Sequence, residues 1–253
     1  MYNLPKPYLS HSQVSCYQMC PKQYWYRYIH KQIEEPIFAV LSFGTCYHAA
    51  MEFNFRHKLT YLTDRPVEEV VTYFLERWSK CQHAIFEEGQ SWAKHVNLGI
   101  SLVTKYMEDY APQVNPIMVE QKHEMEIGEG LLFQGVLDLY TTERKVIDFK
   151  TAAKAWSSSK ARESDQLTGY AMLAFDLTAN WPTCTEIHCA VKEGEGSIKV
   201  VDGGPRFPYH IDDYKKTLHS TARDISEGIF YKDTSGWICQ KDRCPYFTDC
   251  MHG

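Results

Sequence analysis

Apolar positions recur at helical spacing through the first 110 residues and then switch to strict alternation. Ser10 or Ser12 can cap a short helix running to about Met19, and Pro21 can sit in the first turn of the next one. Stretches 45–57, 67–88 and 92–110 each carry one apolar face, with Pro66 placed to open the second. From there 118–127, 131–140 and 145–149 alternate with period two, separated by Gly128-Glu129-Gly130 and by Thr141 to Arg144, which predicts an antiparallel meander. A helix over 162–177, strands near 186–192 and 197–201, a helix over 211–226 and a cysteine-bearing tail complete the pattern. No repeat, low-complexity stretch or long linker interrupts it. The expectation is one α/β domain over 1–253, helical over 1–115, with a sheet core over 116–205 and a helix plus tail over 206–253.

Composition narrows the class. With 44% hydrophobic and 23% charged residues in 253, the chain has enough apolar side chains for a core that needs neither disulfides nor metal. A net charge of -5 opposes nucleic-acid binding over the whole surface, so any such contact needs a local basic groove. The apolar runs fall far short of the roughly 18 residues that span a bilayer, and the first eleven residues lack a secretory core, so an intracellular (cytoplasmic) protein with no membrane contact is expected. Nine cysteines without an export signal then read as reduced thiols, some available for metal.

Two of the alternating segments each carry an acid among apolar neighbours: Gly135-Val136-Leu137-Asp138 and Val146-Ile147-Asp148-Phe149-Lys150-Thr151. An acid two residues before a lysine occurs four times, where about two are expected by chance, but only at Asp148 does it fall on a strand beside a second carboxylate strand. Asp148 and Lys150 share a face by period two. Asp138 joins that face if 141 pairs with 145, leaving Thr142 to Arg144 as a three-residue loop, or if a bulge intervenes; a four-residue turn over 141–144 would put the acids on opposite faces. Two carboxylates about 4 Å apart repel by roughly 4 kcal/mol at an effective dielectric of 20, so such a pair shares a proton or holds a cation, for which Mg²⁺ or Mn²⁺ is the natural hard partner. A nearby lysine can hold a nucleophilic water or offset phosphate charge. His48, with Glu52 one turn later, and the i, i+4 pair Gln166 and Tyr170 are either helix faces or parts of the same site.

In order and spacing, Gly44-x3-His48, Gly135-x2-Asp138, Asp148-x-Lys150-Thr151 and Gln166-x3-Tyr170 resemble the RecB-like branch of the PD-(D/E)XK nuclease superfamily. The resemblance implies a restriction-endonuclease-like α/β core with a central mixed sheet. It implies that His48, Asp138, Asp148 and the carbonyl of Phe149 hold Mg²⁺ or Mn²⁺, that Lys150 positions the attacking water, and that Gln166 and Tyr170 support the site or touch the DNA backbone. A further acid is expected on the first strand of the meander, where Glu120 and Glu124 compete.

The tail carries Cys239, Cys244 and Cys250, and Cys20 is the candidate fourth thiol, with Cys16 one helical turn before it as an alternative. One early and three late cysteines look like the iron-sulfur nucleases of the same branch, the CRISPR-adaptation exonucleases and AddB-type subunits. That implies a [4Fe-4S] cluster on Cys20, Cys239, Cys244 and Cys250, closing the chain on itself. The four residues between Cys239 and Cys244, where two are common, make Cys239 the least regular ligand, and four thiolates equally suit Zn²⁺. Cys46, Cys81, Cys184 and Cys189 read as core residues.

The implied activity is a metal-dependent DNA exonuclease for recombination, repair or CRISPR-type processing, working on single strands or ends. The competing expectation is a non-catalytic iron-sulfur or zinc module that binds nucleic acid beside a helicase or integrase. Lys22, Arg27, Lys31, Lys150, Lys154, Lys160 and Arg162, interleaved with Tyr24, Trp25, Tyr26 and Trp156, can pair with phosphates and stack on bases, or the aromatic run packs internally.

Overall fold

The computed structural model describes residues 2–33 and 35–252. They group into two compact units: one contains 37–122 and 136–206, the other the residues up to 36, 123–135 and those from 207 on.

The larger unit is a mixed sheet between helical layers. Strands β2 (Pro116–Glu126), β3 (Leu132–Thr141), β4 (Lys145–Ala152), β5 (Cys184–Val191) and β6 (Ser197–Gly204) follow the expected alternation. β2 pairs with β3, β3 with β4 antiparallel, β4 with β5 parallel and β5 with β6 antiparallel. The parallel step needs a crossover, supplied by α6 (Ser158–Arg162) and α7 (Asp165–Thr178). On one sheet face Leu139, Ile147, Phe149 and Ala190 pack with α3 (Ala39–Tyr61), α4 (Val67–Ser79) and α5 (Trp92–Asp109); on the other Ile187, Cys189 and Val191 pack with Ala161 and Leu167 of the crossover. Neighbouring strand residues thus divide between two buried faces, so the centre of the sheet is apolar throughout.

The smaller unit holds α1 (His11–Met19), α2 (Pro21–Tyr24), α8 (Pro208–Ser226) and α9 (Phe247–His252). Ser10 caps α1 by accepting the N–H of Gln13, and Pro21 opens α2. The two-residue strand β1 (Tyr8–Leu9) runs parallel to Leu132 and Phe133.

Three boundaries differ from the pattern. The segment 67–88 is helical only to Ser79, because Ile85 instead exchanges backbone hydrogen bonds with Ile37 and Ala39 at 2.8 Å each, and Cys81 and Ala84 close the turns that lead to it. α3 begins at Ala39 and runs through Gly44, which periodicity had placed outside the helix. Trp25–His30 winds as a π-helix that ends at left-handed Lys31, a form with no periodic signature. Among the described residues no helix is long and apolar enough to cross a membrane.

Candidate active site and cysteine pocket

The β3–β4 hairpin has the register that unites the two acids. Leu139 pairs with Ile147 and Tyr140 with Val146, so Thr141 stands opposite Lys145 and Thr142 to Arg144 form the loop. Arg144 closes it in the left-handed region (φ 60°), donating its N–H to Thr141 O at 2.9 Å, the form in which a three-residue hairpin loop ends. Continuing the register sets Asp138 opposite Asp148. There the Asp138 carboxylate enters the backbone pattern: its Oδ2 accepts the N–H of Phe149 at 2.8 Å.

His48 Nδ1 lies 3.3 Å from the same Oδ2. It gets there because α3 approaches β4 closely at Gly44, where a Cβ would stand 3.1 Å from Thr151 Oγ1. A methyl in place of that hydrogen would need the Thr151 hydroxyl to give way by a few tenths of an ångström.

Glu120 is the third member. Its ligand oxygen and those of His48 and Asp138 lie within 4.8 Å of one another. Strict alternation could not choose between Glu120 and Glu124, since four residues apart they would share a face. The strand resolves this by a local irregularity: Glu120 is left-handed (φ 46°), and the covered positions run Pro116, Met118, Glu120 up to it but His123 and Met125 beyond it. Glu124 ends up exposed, accepting from Gln134 Nε2 at 3.1 Å. A non-glycine residue in this region costs about 1–3 kcal/mol, a strain that functional sites commonly hold.

Asp148 stands outside this trio and faces Lys150. Its Oδ1 accepts from Lys150 Nζ at 3.0 Å; Oδ2 lies still closer to that nitrogen, 2.8 Å, yet is buried and accepts no well-directed hydrogen bond. Burial, with Asp148 and Glu120 adding like charge, pushes Asp138 well above the usual carboxylate range. Burial, then Glu52, pushes Glu120 up to about 7. Burial lowers His48 from its ordinary value, while Asp148 and a hydrogen bond to the Phe149 backbone act the other way. On α7, Gln166 Nε2 donates to Tyr170 Oη at 2.9 Å. The Tyr170 phenol is held neutral, mainly by burial and then by the charges of Asp148 and Asp138. His48, Glu120, Asp138, Asp148, Lys150 and Tyr170 with its partner Gln166 therefore gather around one carboxylate cluster, and Glu124 does not.

The donor set fits a divalent cation. It offers carboxylate oxygens and one imidazole kept neutral by burial, and it includes an under-hydrogen-bonded oxygen on Asp148. A cation would relieve the repulsion that raises Asp138 and Glu120.

In the smaller unit Cys20, Cys239, Cys244 and Cys250 line one narrow cavity together with Tyr26 and Tyr246. Burial raises the Cys244 and Cys250 thiols, and their fellow cysteines raise them further. Cys16 does not line the cavity; it is buried 3.9 Å from Arg27 Nη1, its thiol pushed up by burial to about 11.

The aromatic run packs internally. Tyr24 stacks on Phe230, Tyr26 stacks on Tyr246, and Trp25 is sandwiched between Lys22 Nζ at 3.9 Å and the His30 ring at 4.6 Å. Arg27 pairs with Glu35, and Lys31 is exposed with no carboxylate partner among the described residues. Lys154, Lys160 and Arg162 are exposed in the crossover, with Lys160 over the Trp156 ring at 3.9 Å.

Residues 8–251 match the model of the PD-(D/E)XK nuclease superfamily, and the chain belongs to that superfamily. In fold it is similar to the crystal structure of a candidate exonuclease from Eubacterium rectale, at TM-score 0.62 and 11% identity, over 98% of this chain and 88% of that one. A second solved structure, SSO0001, aligns over 82% of this chain and 96% of its own at 14% identity, but its TM-score of 0.37 carries no argument. No curated protein matches. The fold class is thus the restriction-endonuclease-like α/β core, and the chain is a nuclease with a possible divalent-metal site at His48, Glu120 and Asp138.

Proposed function

We propose that this nuclease is a Mg²⁺- or Mn²⁺-dependent deoxyribonuclease of the RecB-like branch, an exonuclease acting on single-stranded DNA or DNA ends. The observation that carries the reading is the convergence of His48, Glu120 and Asp138 beside the Asp148–Lys150 pair. His48, Glu120, Asp138, Asp148 and the Phe149 carbonyl would hold the ion, which would supply Lewis-acid polarisation of the phosphodiester and a more acidic water. Lys150, oriented by Asp148, hydrogen-bonds the attacking water or a non-bridging phosphate oxygen. Tyr170, neutral and oriented by Gln166, is left to donate to the DNA backbone.

The cysteine cavity is proposed to bind a [4Fe-4S] cluster through Cys20, Cys239, Cys244 and Cys250. Such a cluster pins Cys20, at the start of α2, to the tail. We assign the enzyme to an intracellular setting, to recombination, repair or CRISPR-type processing, and to partnership with a helicase or integrase.

Anaerobically purified protein tests the exonuclease reading on linear and circular single-stranded DNA of one sequence. With Mn²⁺ the linear strand is shortened to oligonucleotides and the circle resists. Equal loss of the circle would refute end dependence, and survival of both would refute the nuclease on DNA.

A further inference from the structure

Two thiols of the helical layer lie far closer to each other than the core reading of Cys46 and Cys81 requires. Their sulfurs are 3.8 Å apart, one on α3 and the other in the turns that follow α4. Cys46 is 3% exposed among apolar side chains, whereas Cys81 is half-buried and open on one side. Besides Cys46, the one hydrogen-bond partner of the Cys81 sulfur among the described residues is the Arg77 carbonyl, at 3.7 Å, a weak contact whose loss costs little. The Cys81 backbone is tied by hydrogen bonds inside the turns 78–84 rather than by a helix, so its side chain can rotate while Cys46 stays fixed. Of the other cysteines, Cys184 and Cys189 stand on β5, and the remaining five belong to the smaller unit.

We propose that Cys46 and Cys81 are a dithiol modification site, closed to an intramolecular disulfide by a small-molecule disulfide oxidant such as glutathione disulfide. The open Cys81 sulfur attacks one sulfur of the oxidant, giving a mixed disulfide and one glutathione thiol. The Cys46 sulfur then attacks Cys81, forming the Cys46–Cys81 bond and releasing the second glutathione thiol. Both protein hydrogens end on glutathione, and the two electrons lost by the cysteines reduce it. Closure requires the sulfurs to approach from 3.8 Å to a bond length of about 2.05 Å, within reach of a side-chain rotation at Cys81. The bond would fasten α3, which carries Gly44 and His48, to the corner where α4 ends. By restricting the unfolded chain between positions 46 and 81 it should raise the melting temperature.

The test treats the cluster-loaded protein with glutathione disulfide under argon, where oxygen is absent, and maps tryptic peptides without reduction. Peptides 32–56 and 81–94 should appear joined and two hydrogens lighter than their sum, in monomeric protein, with an upward shift in melting midpoint that dithiothreitol reverses. Cys81→Ser, with helix content and Mn²⁺ affinity like the wild type, should lose both the joined peptide and the shift. Glutathione remaining on Cys81 with Cys46 free, a Cys81 bridge between two chains, or two thiols left reduced would each overturn the proposal.

Discussion

The carboxylate of Asp138 accepts the backbone N–H of Phe149 at 2.8 Å, so the strand that bears Asp148 itself orients the acid opposite it. Asparagine can accept the same bond through its side-chain oxygen but brings no charge. Asp138→Asn should therefore fold like the wild type and lose Mn²⁺ binding in calorimetry together with nuclease activity. Retention of tight Mn²⁺ binding would remove Asp138 from the ligand set.

In the proposed mechanism Lys150 acts on water and phosphate rather than on the core, and among the described residues Asp148 anchors it. Lys150→Ala should lower the cleavage rate by about 10²–10⁴-fold, the range for one positioned proton-transfer or hydrogen-bonding group. DNA affinity in Ca²⁺, measured by fluorescence anisotropy, should change far less.

Metal binding should be proton-linked. Glu120 sits near 7 and Asp138 well above its ordinary value, both chiefly through burial, so the metal-free site carries protons that a cation displaces. Mn²⁺ affinity should rise with pH up to about 7 as Glu120 ionises, and titrations in buffers of different ionisation enthalpy should show proton release below that. The sign for stability follows. Acids raised on folding favour the folded state when protonated, so their contribution to the metal-free protein is full below the unfolded carboxylate value and is lost as pH climbs through the folded one. Mn²⁺ should restore the melting temperature most at the alkaline end. Affinity independent of pH across that window would contradict the linkage.

Gly44 is a steric requirement. Gly44→Ala gains about 1 kcal/mol of helix propensity and sets it against a 3.1 Å approach to Thr151 Oγ1. Removing that oxygen frees the gain: in a Thr151→Ala background Gly44→Ala should stabilise by about 1 kcal/mol in urea unfolding. Gly44→Leu should weaken Mn²⁺ binding by moving the turn that holds His48.

Much of this site was legible, for definable reasons. Period two puts Asp148 and Lys150 on one face, and Asp138 joins it through either a loop over 142–144 or a bulge, of which the hairpin has the loop. Glu120 could not be chosen because a left-handed residue inside a strand leaves no mark in an alternation pattern. Likewise, Ser79 ends α4 through a distant pairing of Ile85 with Ile37, which local periodicity cannot register. Gly44 read as a helix boundary for want of its tertiary neighbour, Thr151. The aromatic run left two readings open, and only the stacking of Tyr26 on Tyr246 and of Trp25 between Lys22 and His30 favours internal packing.

The cysteine cavity separates the four proposed ligands from Cys16. Protein prepared without oxygen should be brown, with about four irons and four acid-labile sulfides per chain. Cys20→Ala and Cys250→Ala should lose the colour, whereas Cys16→Ala should keep it, since Cys16 lies beside Arg27 and outside the cavity. Zinc in place of iron would redirect the assignment to a structural zinc site and leave the nuclease site untouched.

The central claim, that the Asp148–Lys150 strand and its carboxylate neighbours cut DNA, is tested most directly by pairing wild type with Asp148→Asn on end-labelled single- and double-stranded DNA. The account predicts metal-dependent shortening by the wild type in Mn²⁺ or Mg²⁺, none in EDTA, and none by Asp148→Asn of equal fold and iron content. Cleavage by Asp148→Asn at the wild-type rate, in preparations free of contaminating nuclease, would contradict it.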